Sequence, residues 1–293
     1  MIRIEPRTAA ILWMLLAAFC SQCVNVGIRY LAGSVHPFEI VFFRTFFGLL
    51  LFIPWLMRSG IAGMRTQKAG LHLARGTLQV VSMFMYFTAV TMIPIADAAA
   101  LSLATPVVVV LGAMVMLGER AGPDRWLAVA AGIVGALIIL RPGVAPVSLG
   151  SILVLLSVVA SAEIRIAAKV LLRTDTPAAL VCYLTLVVTP LALIGAVFFW
   201  TWPSLIELAV MAAMGGFATL AHLSLAKAYR HADISLLEPL GFTILIWAAL
   251  MGYVFFDEKP SLWTWIGAAT IVAAATWLAR EASRRPRAAV SAE

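Results

Sequence analysis

Charge is what this sequence has least of. Only 12% of its 293 residues are Asp, Glu, Lys or Arg, while 63% are hydrophobic and mean hydropathy is +1.01. Soluble domains average about 25% charged and about 45–50% apolar residues. A water-soluble fold of this length would lack a polar coat, so lipid is the solvent this composition fits. Acidic residues are scarcer than basic ones, 14 against 21, and the net charge is +7. The basic residues stand singly or in small groups between apolar runs, without interleaved aromatics, which argues against a nucleic-acid partner. Cysteine is rare too. Cys20, Cys23 and Cys182 lie inside apolar runs and form no disulfide framework. Cys20 and Cys23 have CxxC spacing but no βαβ surroundings, so they read as small packing residues. The four histidines, His36, His72, His222 and His231, make no HExxH, and GxSxG and Gly-rich phosphate loops are missing. This pattern speaks against an enzyme and an ATP-driven pump, and no metal or cofactor is expected.

Long apolar runs are what the chain does have. Ten reach the roughly 20 residues needed to span a bilayer. They cover about 9–32, 37–58, 70–93, 95–117, 124–141, 148–171, 177–200, 204–229, 233–256 and 261–280. They are too long, and too rich in Ala, Leu and Val, for barrel strands. Arg3 and Arg7 precede the first run, as in a signal peptide. The run continues to about Ala32 without a small-x-small cleavage site, so it reads as an uncleaved span.

Alternate connections carry the basic residues. One side holds Arg3, Arg7, Arg58, Arg65, Lys68, Arg120, Arg125, Lys169, Arg173, Lys227, Arg230, Arg280, Arg284, Arg285 and Arg287, and the other only Arg141 and Lys259. By the positive-inside rule both termini are cytoplasmic, in a multi-pass inner membrane protein of bacterial type. All tryptophans but Trp247 lie near run ends, as an interfacial belt requires.

The chain also repeats itself. LGERAGPDRWLAVAAGIVGALIILR around Glu119 aligns without a gap to FDEKPSLWTWIGAATIVAAATWLAR around Glu258, pairing Trp126 with Trp265 and Arg141 with Arg280. Ala96-Asp97 likewise resembles Ala232-Asp233. The expected organisation is one five-helix repeat over 1–143, a second over 144–283 and a basic tail over 284–293. An odd number of spans per copy turns the second copy upside down, the architecture of alternating-access carriers with a site near the midplane. The fold class expected is therefore an all-α integral membrane protein of ten transmembrane helices in two inverted five-helix repeats.

Several polar residues inside the runs need a reason to be there. Arg44 lies about 5 Å from the middle of the second run. Arg75, Glu163, Arg165, His222 and Glu238 fall in the cytoplasmic half. Arg44, Arg75, Glu163, His222 and Glu238 are candidates for an inner gate or a proton relay, with static helix–helix ties as the plain alternative. Arg165 can instead snorkel to the interface. Gln79, Ser82, Met83 and Tyr86 recur at helical spacing near the midplane, level with Thr105, Thr219, Thr243 and Trp247. Asn25 and Gln22 can reach the same level. Neutral hydrogen-bonders with aromatics and Met suit an amphipathic substrate, whereas a phosphate carrier would cluster Lys and Arg. Pro106, Pro190 and Pro239 remove backbone donors and are hinge candidates, and Gly215-Gly216 is a further soft point. Ala128, Gly132 and Ala136 form a small-residue ridge for packing within the chain or along a dimer seam.

PFEIVFFRTFFGLLL, ARGTLQVVSMFMYFTAVTMIPIADAAALSLATPVVVVLGAMVMLGE and LEPLGFTILIWAALMGYVFFDEKPSLWTWIGAA resemble the ten-helix EamA-type branch of the drug/metabolite transporter superfamily. The resemblance implies a cavity lined mainly by helices 3, 4, 8 and 9, completed by 1, 2, 6 and 7. It also implies a secondary transporter that exports small metabolites, most readily amino acids, including aromatic ones, by facilitated diffusion or exchange. Proton-coupled drug efflux is the alternative, and a channel a more remote one. The expected partners are a small-molecule substrate and the bilayer, with the chain a monomer or weak homodimer. Helix 9 departs from the pattern, its Leu237-Glu238-Pro239 coming earlier than Pro106 does in helix 4. Impermeant thiol labelling of single cysteines added at both ends tests the topology: protection of both in intact cells is expected, and labelling of one end alone would refute it.

Overall fold

The computed structural model describes residues 6–59, 66–105, 107–109, 111–112, 123–142, 147–171, 174–231 and 242–284. They form ten helices: α1 (Pro6–Tyr30), α2 (Pro37–Ser59), α3 (Ala69–Met92), α4 (Ile95–Ser102), α5 (Pro123–Leu140), α6 (Leu149–Leu171), α7 (Pro177–Val197), α8 (Leu205–His231), α9 (Thr243–Phe256) and α10 (Leu262–Arg284). Each falls within or close to one of the ten apolar runs, and no strand occurs among the described residues. Large apolar side chains such as Leu51, Val134, Leu156, Ile194 and Ile246 point outward, the surface a bilayer accepts. With ten crossings both termini share one face, called here the termini face.

The helix pairings carry the inverted repeat. α1 packs on α8 as α6 packs on α3; α2 packs on α8 as α7 packs on α3; α1 packs on α9 as α6 packs on α4. α2, α4 and α5 each pack on their own counterparts, α7, α9 and α10. Adding five to a helix number in the first half thus gives the matching contact of the second. The halves interleave rather than lie side by side.

Two places explain how the backbones come together. On α5 and α10, Gly135 and Gly267 face each other so closely that a Cβ on Gly267 would stand 2.6 Å from the Gly135 carbonyl. The small-residue ridge on α5 is likewise filled within the chain: a Cβ at Gly132 would meet Val107 at 2.7 Å, and Ala128 is buried in the same cluster.

Helix 4 is not the uninterrupted run expected over 95–117. Its regular part ends at Ser102, and the amides of Leu103, Ala104 and Val107 bond three residues back. The cause is local. A proline at 106 has no N–H to give the Ser102 carbonyl. The Thr105 hydroxyl donates to that carbonyl instead, at 2.7 Å. Thr105 thus serves its own helix. In α7 the helix runs on through Pro190. The expected hinges Pro106 and Pro239 lie outside the described residues.

Gly267→Ala should overpack the α5–α10 contact and cost about 1–3 kcal/mol. A lowered melting temperature in detergent is the expected reading, and an unchanged one would show that the helices part without cost.

Candidate functional site

Between the halves, level with the middles of α2, α3, α7 and α8, lies a cavity of about 70 Å³. Its wall comes from α2 (Arg44, Thr45, Gly48), α3 (Gln79, Met83), α7 (Val181, Leu184, Thr185, Val188) and α8 (Gly215, Ala218, Thr219, His222). Gly215 brings α8 against α2: a Cβ there would stand 2.7 Å from the Arg44 carbonyl. That approach sets Arg44, Thr219 and His222 around one space. α2 and α7 supply much of this wall, and no described residue of α4 or α9 borders it.

Five of the residues singled out in the sequence meet here: Arg44, Gln79, Met83, Thr219 and His222. Others do not. Ser82 is buried in the α3–α6 seam, donating to the Ser157 carbonyl at 3.1 Å with the Ser161 hydroxyl at 3.2 Å. Asn25 donates to Gln22 Oε1 at 2.9 Å and to the Tyr86 hydroxyl at 3.1 Å, which makes a second polar group between α1 and α3. Trp247 packs edge-on against Phe19 of α1, ring centroids 5.1 Å apart, and Thr243 begins α9. Thus Gln79, Ser82, Met83 and Tyr86 share one helix but serve three neighbourhoods. Glu238 lies outside the described residues.

Arg75 is buried, donates to the Leu180 carbonyl at 3.2 Å, and shares a separate cleft between α3 and α6 with Glu163. No Arg75–Glu163 ion pair forms. The ion pairs among the described residues are Arg29–Glu258 and His72–Asp175.

These two pairs close opposite ends of the bundle. On the face away from the termini, Arg29 of α1 meets Glu258 at 3.0 Å and also donates to the Val90 and Thr91 carbonyls. The same carboxylate accepts the Ile95 N–H at 2.8 Å, at the start of α4. A carboxylate there also meets the positive end of the helix dipole. Asp97, one turn on, accepts from the Thr264 hydroxyl of α10. On that face too, Glu39 is fully buried and accepts from the amide and hydroxyl of Thr201, tying α2 to the α7–α8 connection. On the termini face, Asp175 lies 2.7 Å from His72 and also takes the Thr174 hydroxyl. Burial pushes the Asp175 carboxyl up, but hydrogen bonds from His72, Thr66 and Thr174 outweigh it and hold the acid below its usual range.

The model of one family, the EamA-like transporter family, matches the chain twice, over residues 8–141 and 148–280. The chain belongs to the EamA-like transporter family. Among similar EamA-like proteins is the riboflavin transporter of Rhizobium johnstonii, 32% identical over 97% of this chain and 96% of that protein. The S-adenosylmethionine uptake transporter of Rickettsia prowazekii is 26% identical over 92% of this chain and 91% of its own length. The pseudopaline exporter CntI of Pseudomonas aeruginosa is 27% identical over 93% of this chain and 96% of that protein. A solved crystal structure matches the fold with a TM-score of 0.67 at 21% identity, covering 96% of this chain and all of its own. The chain is a multi-pass membrane transporter of small metabolites.

Sequence reasoning passed over Arg29, Glu258, Thr45 and Thr185. The signal for Glu258 was its gap-free alignment with Glu119. Arg29 sat at the end of a long apolar run, where a lone charge reads as an interfacial residue. If the Arg29–Glu258 pair holds its face shut, Glu258→Gln should raise the rate at which an impermeant reagent reaches a cysteine at Thr45 from that face. Unchanged labelling would reduce the pair to a static tie.

Proposed function

We propose that this transporter carries amphipathic metabolites with a flat ring, by alternating access across the seam between its halves. The observation that carries the reading is the mixed wall of the central cavity. Thr45, Gln79, Thr185 and Thr219 offer neutral hydrogen bonds beside Met83, Leu184, Val181 and Val188. Such a wall matches a ring with a polar edge. The names of relatives support this breadth, since riboflavin and S-adenosylmethionine both contain a heteroaromatic ring. Aromatic amino acids, the substrates expected from the sequence, share that shape.

Relatives named for uptake and for export sit at similar identity, so flux follows the gradient here, by facilitated diffusion or exchange. In this reading both termini are cytoplasmic and the inner membrane is the site of action, as the basic connections indicate. Gln79, Met83 and Thr219 touch substrate directly. Tyr86, Asn25 and Trp247 border the path on the α1 side, and Arg75 with Glu163 stands at its cytoplasmic end. Pro190 lets α7 bend as that end opens.

Counterflow in proteoliposomes tests this. Labelled riboflavin, S-adenosylmethionine and L-tryptophan are offered against unlabelled internal substrate. Saturable exchange of at least one is expected, with Gln79→Ala lowering it about fivefold at unchanged abundance, the scale of one lost hydrogen bond. Failure of all three to exchange would overturn the substrate class, and full exchange by the variant would move the site.

A further inference from the structure

We propose that Arg44 is the group that fixes substrate orientation, by binding an electron-rich edge of two adjacent acceptors, either a carboxylate or the ring nitrogen and neighbouring carbonyl of a flavin-type pyrimidine. This rests on the central cavity being the substrate site. A guanidinium carries five N–H donors and stays charged. Within a membrane such a group is ordinarily spent on carbonyls or a carboxylate. Arg29 shows the ordinary case in this chain, with two carbonyls and Glu258 around it.

Arg44 does not follow it. Among the described residues it has no ion pair, its buried Nε has no hydrogen-bond partner, and the Phe87 ring centroid lies 5.5 Å from the guanidinium carbon. It lines the cavity, where none of the described wall residues is acidic. Phe87 backs the guanidinium and the close α2–α8 approach at Gly215 fixes its backbone. The donors therefore face a space whose described wall offers neutral hydrogen-bonders and no acid, where a substrate can supply the acceptors. A planar fork of donors takes two acceptor atoms side by side, which a carboxylate presents, as does the N1 nitrogen of an oxidised flavin with its neighbouring C2 carbonyl.

The test uses matched ligand pairs on the purified full-length protein in nanodiscs. Indole-3-acetate is compared with indole-3-acetamide, and riboflavin with 2-thioriboflavin, by thermal shift and equilibrium binding. The intact acceptor should bind about tenfold more tightly in at least one pair, as expected for a charge-assisted hydrogen bond. Arg44→Gln should erase that difference and Arg44→Lys should keep part of it. Dependence confined to the indole pair identifies a carboxylate, and dependence confined to the flavin pair identifies the ring edge. No difference in either pair, or a difference that survives in Arg44→Gln, overturns the proposal. Should Arg44→Gln not reconstitute, phenylglyoxal modification of Arg44 in the wild type gives the reading: slowing by the intact acceptor alone supports it, and equal slowing within both pairs overturns it. Because the indole pair needs no transported metabolite, loss of this proposal and loss of the ring-metabolite reading remain separate results.

Discussion

Over about 30 Å of its thickness the bilayer offers no water to a polar group, and this chain is arranged around that constraint. A donor or acceptor placed in the span ordinarily finds its partner within the protein. The consequence is visible at small scale in helix 4, where the Thr105 hydroxyl replaces the backbone donor that a proline at 106 cannot provide. It is visible at larger scale in the partition of charge. Arg29, Glu39, Glu258, His72 and Asp175 are paired at the bundle ends. The seam between halves keeps neutral hydrogen-bonders and Arg44.

The two ends solve the same problem with different chemistry. Each uses an acid near the start of the second helix of a half to hold a connection in place. Glu39 does so through uncharged donors on Thr201, whereas Asp175 engages an imidazole as well as hydroxyls. The repeat is therefore symmetric in helix packing but not in the groups that seal it. The two faces are thus held by different groups, although the helices they join occupy matching places in the two repeats.

The ten-helix fold was legible because hydrophobic run length reports directly on lipid crossing. The site was legible in part. Arg44, Gln79, Met83, Thr219 and His222 announced themselves as polar or polarisable groups at mid-membrane, and they do share a cavity. Ser82 and Tyr86 announced themselves equally, yet turn to α6 and α1. Helical spacing places residues on neighbouring faces but does not say which partner helix each face meets. Thr185 and the apolar side chains of α7 carried no signal, because a threonine in an apolar helix most often bonds its own backbone. Thr185 in fact also does so, donating to the Val181 carbonyl at 2.9 Å.

Glu258 belongs to one half, while the arginine and the helix start that it binds belong to the other. With α1 lodged against α8 and α9, and α6 against α3 and α4, neither half possesses a closed core of its own. A single five-helix repeat with this packing would therefore leave bare the faces that its helices now present to the other repeat.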